Sequence, residues 1–132
     1  MKTLFRHDIF TIKADNITNI LYIELKGFLN DQTCEEYTNA YTKSIFHYKT
    51  EFSIIVDASD LKVLPKSFWE LMRNSFRAIH PEKLKSLKLQ KIVIVKPNSP
   101  IAHTQLTRLD FYRKFNAEVV ESVIEAQSLL KK

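Results

Sequence analysis

Short apolar strand signals alternate with amphipathic helical stretches in this sequence, which places it in the α/β class. Three stretches carry that reading. Asn19–Lys26 alternates strictly, with Ile20, Tyr22 and Glu24 on one face and Leu21, Ile23 and Leu25 on the other. Phe52–Val56 is apolar throughout except for Ser53, and Ile92–Val95 is apolar without a break. Runs of that kind suit strands covered on both faces, as in the parallel part of a sheet. The expected fold is one domain over residues 1–132. Its sheet is mixed and mainly parallel, with about five strands, an antiparallel first hairpin and about four helices.

The elements follow in order. Ile9–Lys13 is an edge-strand candidate, and Asp15-Asn16 supplies turn chemistry before the Asn19–Lys26 strand. Gly27, the only glycine, follows that strand directly and is read as relief of a sterically tight exit. Asn30-Asp31 or Thr33 can cap the first helix, and Thr33 with Glu36 has capping-box spacing. Cys34, Tyr37, Tyr41, Ile45 and Tyr48 then recur down one face as a helix-on-sheet contact, with Cys34 as a packing residue. After Phe52–Val56, Asp57 opens a polar loop. The second helix begins near Pro65–Ser67, carries Phe68, Leu71, Met72, Ser75, Phe76 and Ile79 inward, and ends at Pro81. Trp69 lies beside that face. Lys83–Leu89 reads as a connector or helical turn, and Lys91–Lys96 as the next strand. Ser99 caps a helix with Pro100 in its first turn, and Ile101, Ala102, Gln105, Leu106, Leu109 and Tyr112 or Arg113 trace its inner side. Ala117–Val120 is a short last strand. Ser122 and Glu125 open a C-terminal helix containing Val123, Ala126, Leu129 and Leu130.

Composition bounds the function. The lone Cys34 excludes an intramolecular disulfide and a cysteine-based zinc knuckle, and suits a reducing, cytoplasmic setting. One glycine argues against a glycine-rich phosphate cradle. MKTLFRHDIF lacks the apolar core of a signal peptide, and no apolar run approaches the ~20 residues that span a bilayer. The formal charge is +5, much of it between Arg73 and Lys96, where Arg73, Arg77, Lys83, Lys85, Lys88, Lys91 and Lys96 meet only Glu82. Without interleaved aromatics as stacking platforms, this stretch reads as a solvated surface and disfavours nucleic acid as a partner.

Chemistry-bearing residues are few. Asp57, Ser59 and Asp60 cluster after the central strand, where paired carboxylates can share a cation but also serve as ordinary strand-exit residues. His7, His47, His80 and His103 have no metal-ligand spacing, so neither metal nor cofactor is expected. Asp57, Ser67 and His103 are the only triad that can be assembled. Helix N-termini near Lys66–Phe68 and Ser99–Ala102 can both face the carboxyl edge of the sheet, the usual ligand position in this class.

At this level the chain resembles the STAS domain superfamily, which includes anti-sigma-factor antagonists and cytoplasmic domains of sulphate transporters. ILYIELKGFLNDQTCEEY is similar to that family's second strand, glycine and first helix, and FSIIVDASDLKVL to its central strand and the loop beyond. KIVIVKPNSPIAHTQLTRL and AEVVESVIEAQSLLKK are similar to the later strand–helix pairs. Signalling members carry an Asp-Ser-Ser-Gly-like phosphoacceptor segment at the start of the second helix. Here the region reads Leu64-Pro65-Lys66-Ser67-Phe68, without the glycine or the acidic character.

The resemblance implies a non-enzymatic regulatory module that binds a protein partner, such as a kinase-like anti-sigma factor, or itself. The expected contact surface runs along residues 57–69 with Asp57, Asp60, Ser67 and Trp69, and Ser67 is the candidate phosphorylation site. The alternative is a small-molecule binder with an apolar or anionic ligand near Phe68, Ser99, Ile101 and His103.

Overall fold

A computed structural model describes residues 1–108, 113 and 116–131. Leu109 and Tyr112, expected on the inner face of a helix, lie outside them. The described residues form six strands: β1 Lys2–Arg6, β2 Phe10–Asp15, β3 Ile20–Phe28, β4 Phe52–Val63, β5 Leu89–Val95 and β6 Glu118–Val120. Five helices accompany them: α1 Asp31–Ser44, α2 Phe68–Arg77, α3 Pro81–Lys85, α4 Pro100–Arg108 and α5 Val123–Leu130. The strands lie side by side in chain order. β1, β2 and β3 are antiparallel neighbours, and β3, β4, β5 and β6 run parallel.

That order dictates the layers. Right-handed crossovers that all advance in one direction across a sheet must fall on one face. Accordingly α1, α2 and α4 bury Tyr37, Tyr41, Phe68, Met72, Ala102 and Leu106 in one cluster, with Ile12, Ile23, Ile54 and Ile94 of the strands. After β6, α5 turns back over the opposite face, where Ala126 meets Ile20, Ile55, Val93, Val95 and Val120. The fully buried run Ile54–Val56 is thus covered from both sides, as its unbroken apolar character demands.

Several elements differ from expectation. β1 is an additional edge strand, exposed or half-buried throughout, and its pairing with β2 is irregular around Leu4. The polar loop expected from Asp57 onward is instead the second half of β4. β5 accompanies β4 only to Asp57, while β3 continues beside it to Val63. Gly27 lies within β3 rather than after it, at φ +77°, where the register against β4 shifts. Only a residue without Cβ adopts that conformation freely. Asn30 caps α1, receiving the Thr33 N–H at 2.9 Å while Thr33 Oγ1 accepts the Asn30 N–H at 2.9 Å, so the box uses Asn30 and Thr33 instead of Thr33 and Glu36. Pro65 precedes α2 rather than sitting in its first turn. Pro81 opens α3, whose N-cap His80 accepts the Glu82 N–H at 3.2 Å. Ser122 caps α5 as expected, receiving the Glu125 N–H at 3.1 Å.

The basic stretch is partly neutralised on folding. Lys91 pairs with Glu118 across β5 and β6, Lys96 with Glu121 at 3.0 Å, and Lys85 with Glu82 at 3.6 Å. Each exposed pair contributes at most about 1 kcal/mol.

Tyr48 ties the segment after α1 to the β2–β3 hairpin. Its hydroxyl is 2.9 Å from both the Asp15 and the Ile20 carbonyl oxygens, and its ring stacks on Phe52. Burial pushes its phenol up to about 12 and raises Tyr37 and Tyr41 further. The folded state therefore holds these protons more tightly than the unfolded chain does. The stability they confer is complete below the ordinary phenol pKa of about 10 and is lost as pH rises through 12 and above. Tyr48→Phe is expected to lower neutral-pH stability by about 1 kcal/mol and to make the alkaline decline shallower, measured by urea unfolding across pH. Gly27→Ala is expected to cost about 1 kcal/mol in the same assay, from the positive φ rather than from crowding, since an added Cβ would meet Ile9 at an ordinary 3.7 Å.

Candidate functional site

The carboxyl ends of β3, β4 and β5 and the N-termini of α1, α2 and α4 meet at one edge of the sheet. Beyond β5, the protruding half of β4 is held on both flanks. β3 pairs Lys26 with Asp60 and Phe28 with Val63, and the Leu29 N–H donates to the Val63 carbonyl at 3.0 Å. On the other flank the Asn98 N–H donates to the Ser59 carbonyl at 3.1 Å. The Gln105 side chain bridges both backbone groups of Leu64, accepting at 2.8 Å and donating at 2.9 Å. The segment 59–64 is therefore a rigid ridge.

Two large apolar side chains stand exposed beside this ridge. Phe28 is 69% exposed at the end of β3, and Ile101 is 61% exposed in the first turn of α4. Phe28 falls on the same face of β3 as Tyr22, Glu24 and Lys26, opposite the buried Leu21, Ile23 and Leu25. Extending the Asn19–Lys26 alternation by two residues is the sequence signal that places Phe28 outward.

Ser67 occupies the N-cap position of α2 without capping it. Its hydroxyl donates to the Asp31 carboxylate at the start of α1. The two helices run parallel, and a second tie joins them further along, where Ser75 Oγ lies 3.1 Å from Thr38 Oγ1 and from Asn39 Oδ1. Ser67 is thus a joint between helices. Added phosphate there would gain from the α2 dipole but stand against the Asp31 carboxylate.

The remaining expected site residues disperse. Asp57 points to the α5 side, into a cleft of ≈ 250 Å³ with Thr11, Lys13, Tyr22, Glu24 and Val123, and its carboxylate accepts the Ser59 hydroxyl at 2.6 Å. Asp60 is exposed on the ridge. Trp69 is half-buried, edge-on to Phe68 at 5.7 Å. Ser99 Oγ accepts the Ala102 N–H and donates to the Lys62 carbonyl, both at long range, and His103 is exposed on α4. Asp57 accepts from Ser59, Ser67 donates to Asp31 and His103 stands exposed on α4, so the triad is not brought together. Phe68 is 1% exposed and lines a cavity of only ≈ 10 Å³ with Leu25, Val56, Leu61 and Leu106, too small for an organic ligand. Cys34 is buried, and desolvation pushes its thiol up to about 12, so it is a packing group and not a nucleophile.

No protein-family model matches the sequence, and no curated protein matches it. Among solved structures the chain is similar to an anti-sigma factor antagonist from Mycobacterium paratuberculosis, at 10% identity and a TM-score of 0.55, over 98% of this chain and 100% of that one. Among the described residues no helix is long and apolar enough to cross a membrane.

The Ser67–Asp31 joint is testable. Ser67→Asp is expected to lower stability by on the order of 0.5 kcal/mol more than Ser67→Ala, because it sets two carboxylates together. Asp31→Asn is expected to erase that difference in a double-mutant cycle measured by urea unfolding. The overall α/β fold on which these contacts rest is STAS-like, similar to that of this anti-sigma factor antagonist.

Proposed function

We propose that this chain is a non-enzymatic, cytoplasmic regulatory module that binds a protein partner across the ridge 59–64 and its flanks. The observation that carries this reading is the pair of exposed apolar side chains, Phe28 and Ile101, on either side of a backbone ridge that is rigidly held. Exposed aromatic and aliphatic side chains on a preorganised support are what interface hot spots are made of. Asp60 and Ser67 lie along the same edge as polar rim, and Trp69 supports Phe68 from within. Asp57 belongs to the opposite face and is left out of this surface.

The similarity in fold to an anti-sigma factor antagonist supports a kinase-like anti-sigma factor as the first partner to try, with self-association as the second. The phosphorylated form of Ser67 has a physical rationale within this reading. Modification would exchange a hydroxyl-to-carboxylate hydrogen bond for repulsion at Asp31 and shift the α1 and α2 N-termini beside the ridge.

Affinity capture from the native cell, followed by reconstitution with the purified partner, tests the surface. Phe28→Ala and Ile101→Ala are each expected to weaken binding about tenfold, while both variants remain folded because neither side chain is buried. A partner retained equally by wild type and by the double variant would refute this placement.

A further inference from the structure

A second surface lies away from that edge. α1 and α2 leave between them an open trough of ≈ 550 Å³. Asn39, Thr42 and Phe46 form one wall, and Leu71, Ser75 and Ala78 the other. On α1, Glu35, Asn39 and Thr42 recur every three or four residues, so this part of the wall is a helical stripe. Along α1 it runs from Glu35 to Lys43, roughly 12 Å, and Phe46, just beyond the helix end, extends it toward a third turn. The middle of the trough is lined by small side chains, Thr42, Ser75 and Ala78, which permit close backbone approach.

Charge is unevenly placed along it. Glu35 stands toward the N-terminal end, whereas Lys43 and Lys83 stand at the other. Lys83 Nζ lies 4.7 Å over the Phe46 ring, which holds the cation at the trough wall. Among the described residues neither Lys43 nor Lys83 pairs with a carboxylate, as is also true of Lys49, Lys62, Lys66 and Lys88, but these two line one trough together.

We infer that this trough receives one amphipathic helix of about three turns from an acidic protein partner, with its apolar stripe against Phe46 and Leu71 and its carboxylates on Lys43 and Lys83. The open shape, extending toward a third turn, fits a helix better than a compact ligand. The unpaired cations select the sign of its charge. This surface does not use Phe28 or Ile101, so it stands independently of the ridge.

The probe is a synthetic helical peptide of about twelve residues with leucines at three- and four-residue spacing and flanking glutamates. Its controls are a scramble of the same composition and a version with lysine for glutamate. Fluorescence anisotropy and amide chemical shifts would follow binding to the full chain at two salt concentrations. The acidic patterned peptide is expected to bind saturably, more weakly at high salt, and to shift α1 and α2 resonances along the trough. Lys43→Glu with Lys83→Glu is expected to weaken it about tenfold, and Arg73→Glu with Arg77→Glu to change it less than about twofold. Phe28→Ala is expected to leave it unchanged, so failure of the ridge proposal and failure of this one are separable. No saturable binding, equal binding of the scramble or the lysine peptide, or equal loss in the arginine variant would overturn the inference. So would sedimentation showing a dimer that the Lys43 and Lys83 reversals dissociate, since the occupant would then be a second copy.

Discussion

A parallel strand pair can be connected only by a chain that crosses over one face of the sheet, and in proteins that crossing is right-handed. Three such crossings, all stepping from β3 toward β6, stack α1, α2 and α4 on the same face. Most of what this molecule presents follows from that constraint. Helices packed side by side in parallel bring their N-termini to one edge and leave a groove between their outer surfaces. The edge and the groove are therefore consequences of topology. The particular side chains, Phe28 and Ile101 at one and Lys43 and Lys83 at the other, are what distinguish this chain from any other with the same path.

The fold was legible where burial is two-sided or periodic. Ile54–Val56 and Ile92–Val95 announced interior parallel strands because no polar residue is tolerated there, and the three-and-four spacing of Cys34, Tyr37 and Tyr41 announced a helix on a sheet. It was illegible where long-range pairing decides conformation. Asp57, Ser59 and Asp60 have turn-forming side chains, yet pairing with β3 and the internal Asp57–Ser59 hydrogen bonds keep them extended. β1 has little pattern of its own and exists as a strand because β2 offers an edge.

The site was harder still. Residues 57–69 were grouped by sequence, but alternation along a strand sends successive side chains to opposite faces. Asp57 consequently parted from Ser67 and joined Lys13, Tyr22 and Glu24. The contact between Ser67 and Asp31 spans two crossover helices and leaves no trace in local spacing. Trp69, the conspicuous aromatic, turned out to support the core, while Phe28, inconspicuous beside a glycine, turned outward. The placement of Trp69 follows from packing against the core, and that of Phe28 from the alternation of β3 itself.

The cover of the second face has a consequence for synthesis on the ribosome. Ile20, Ile55, Val93 and Val95 are laid down early and in the middle of the chain, but Val120 and Ala126, which complete their cluster, emerge last. Until then the nascent sheet presents an apolar stripe with no helix to shield it. Vectorial synthesis thus closes the two layers in sequence, the first with Ala102 and Leu106 and the second with Val120 and Ala126.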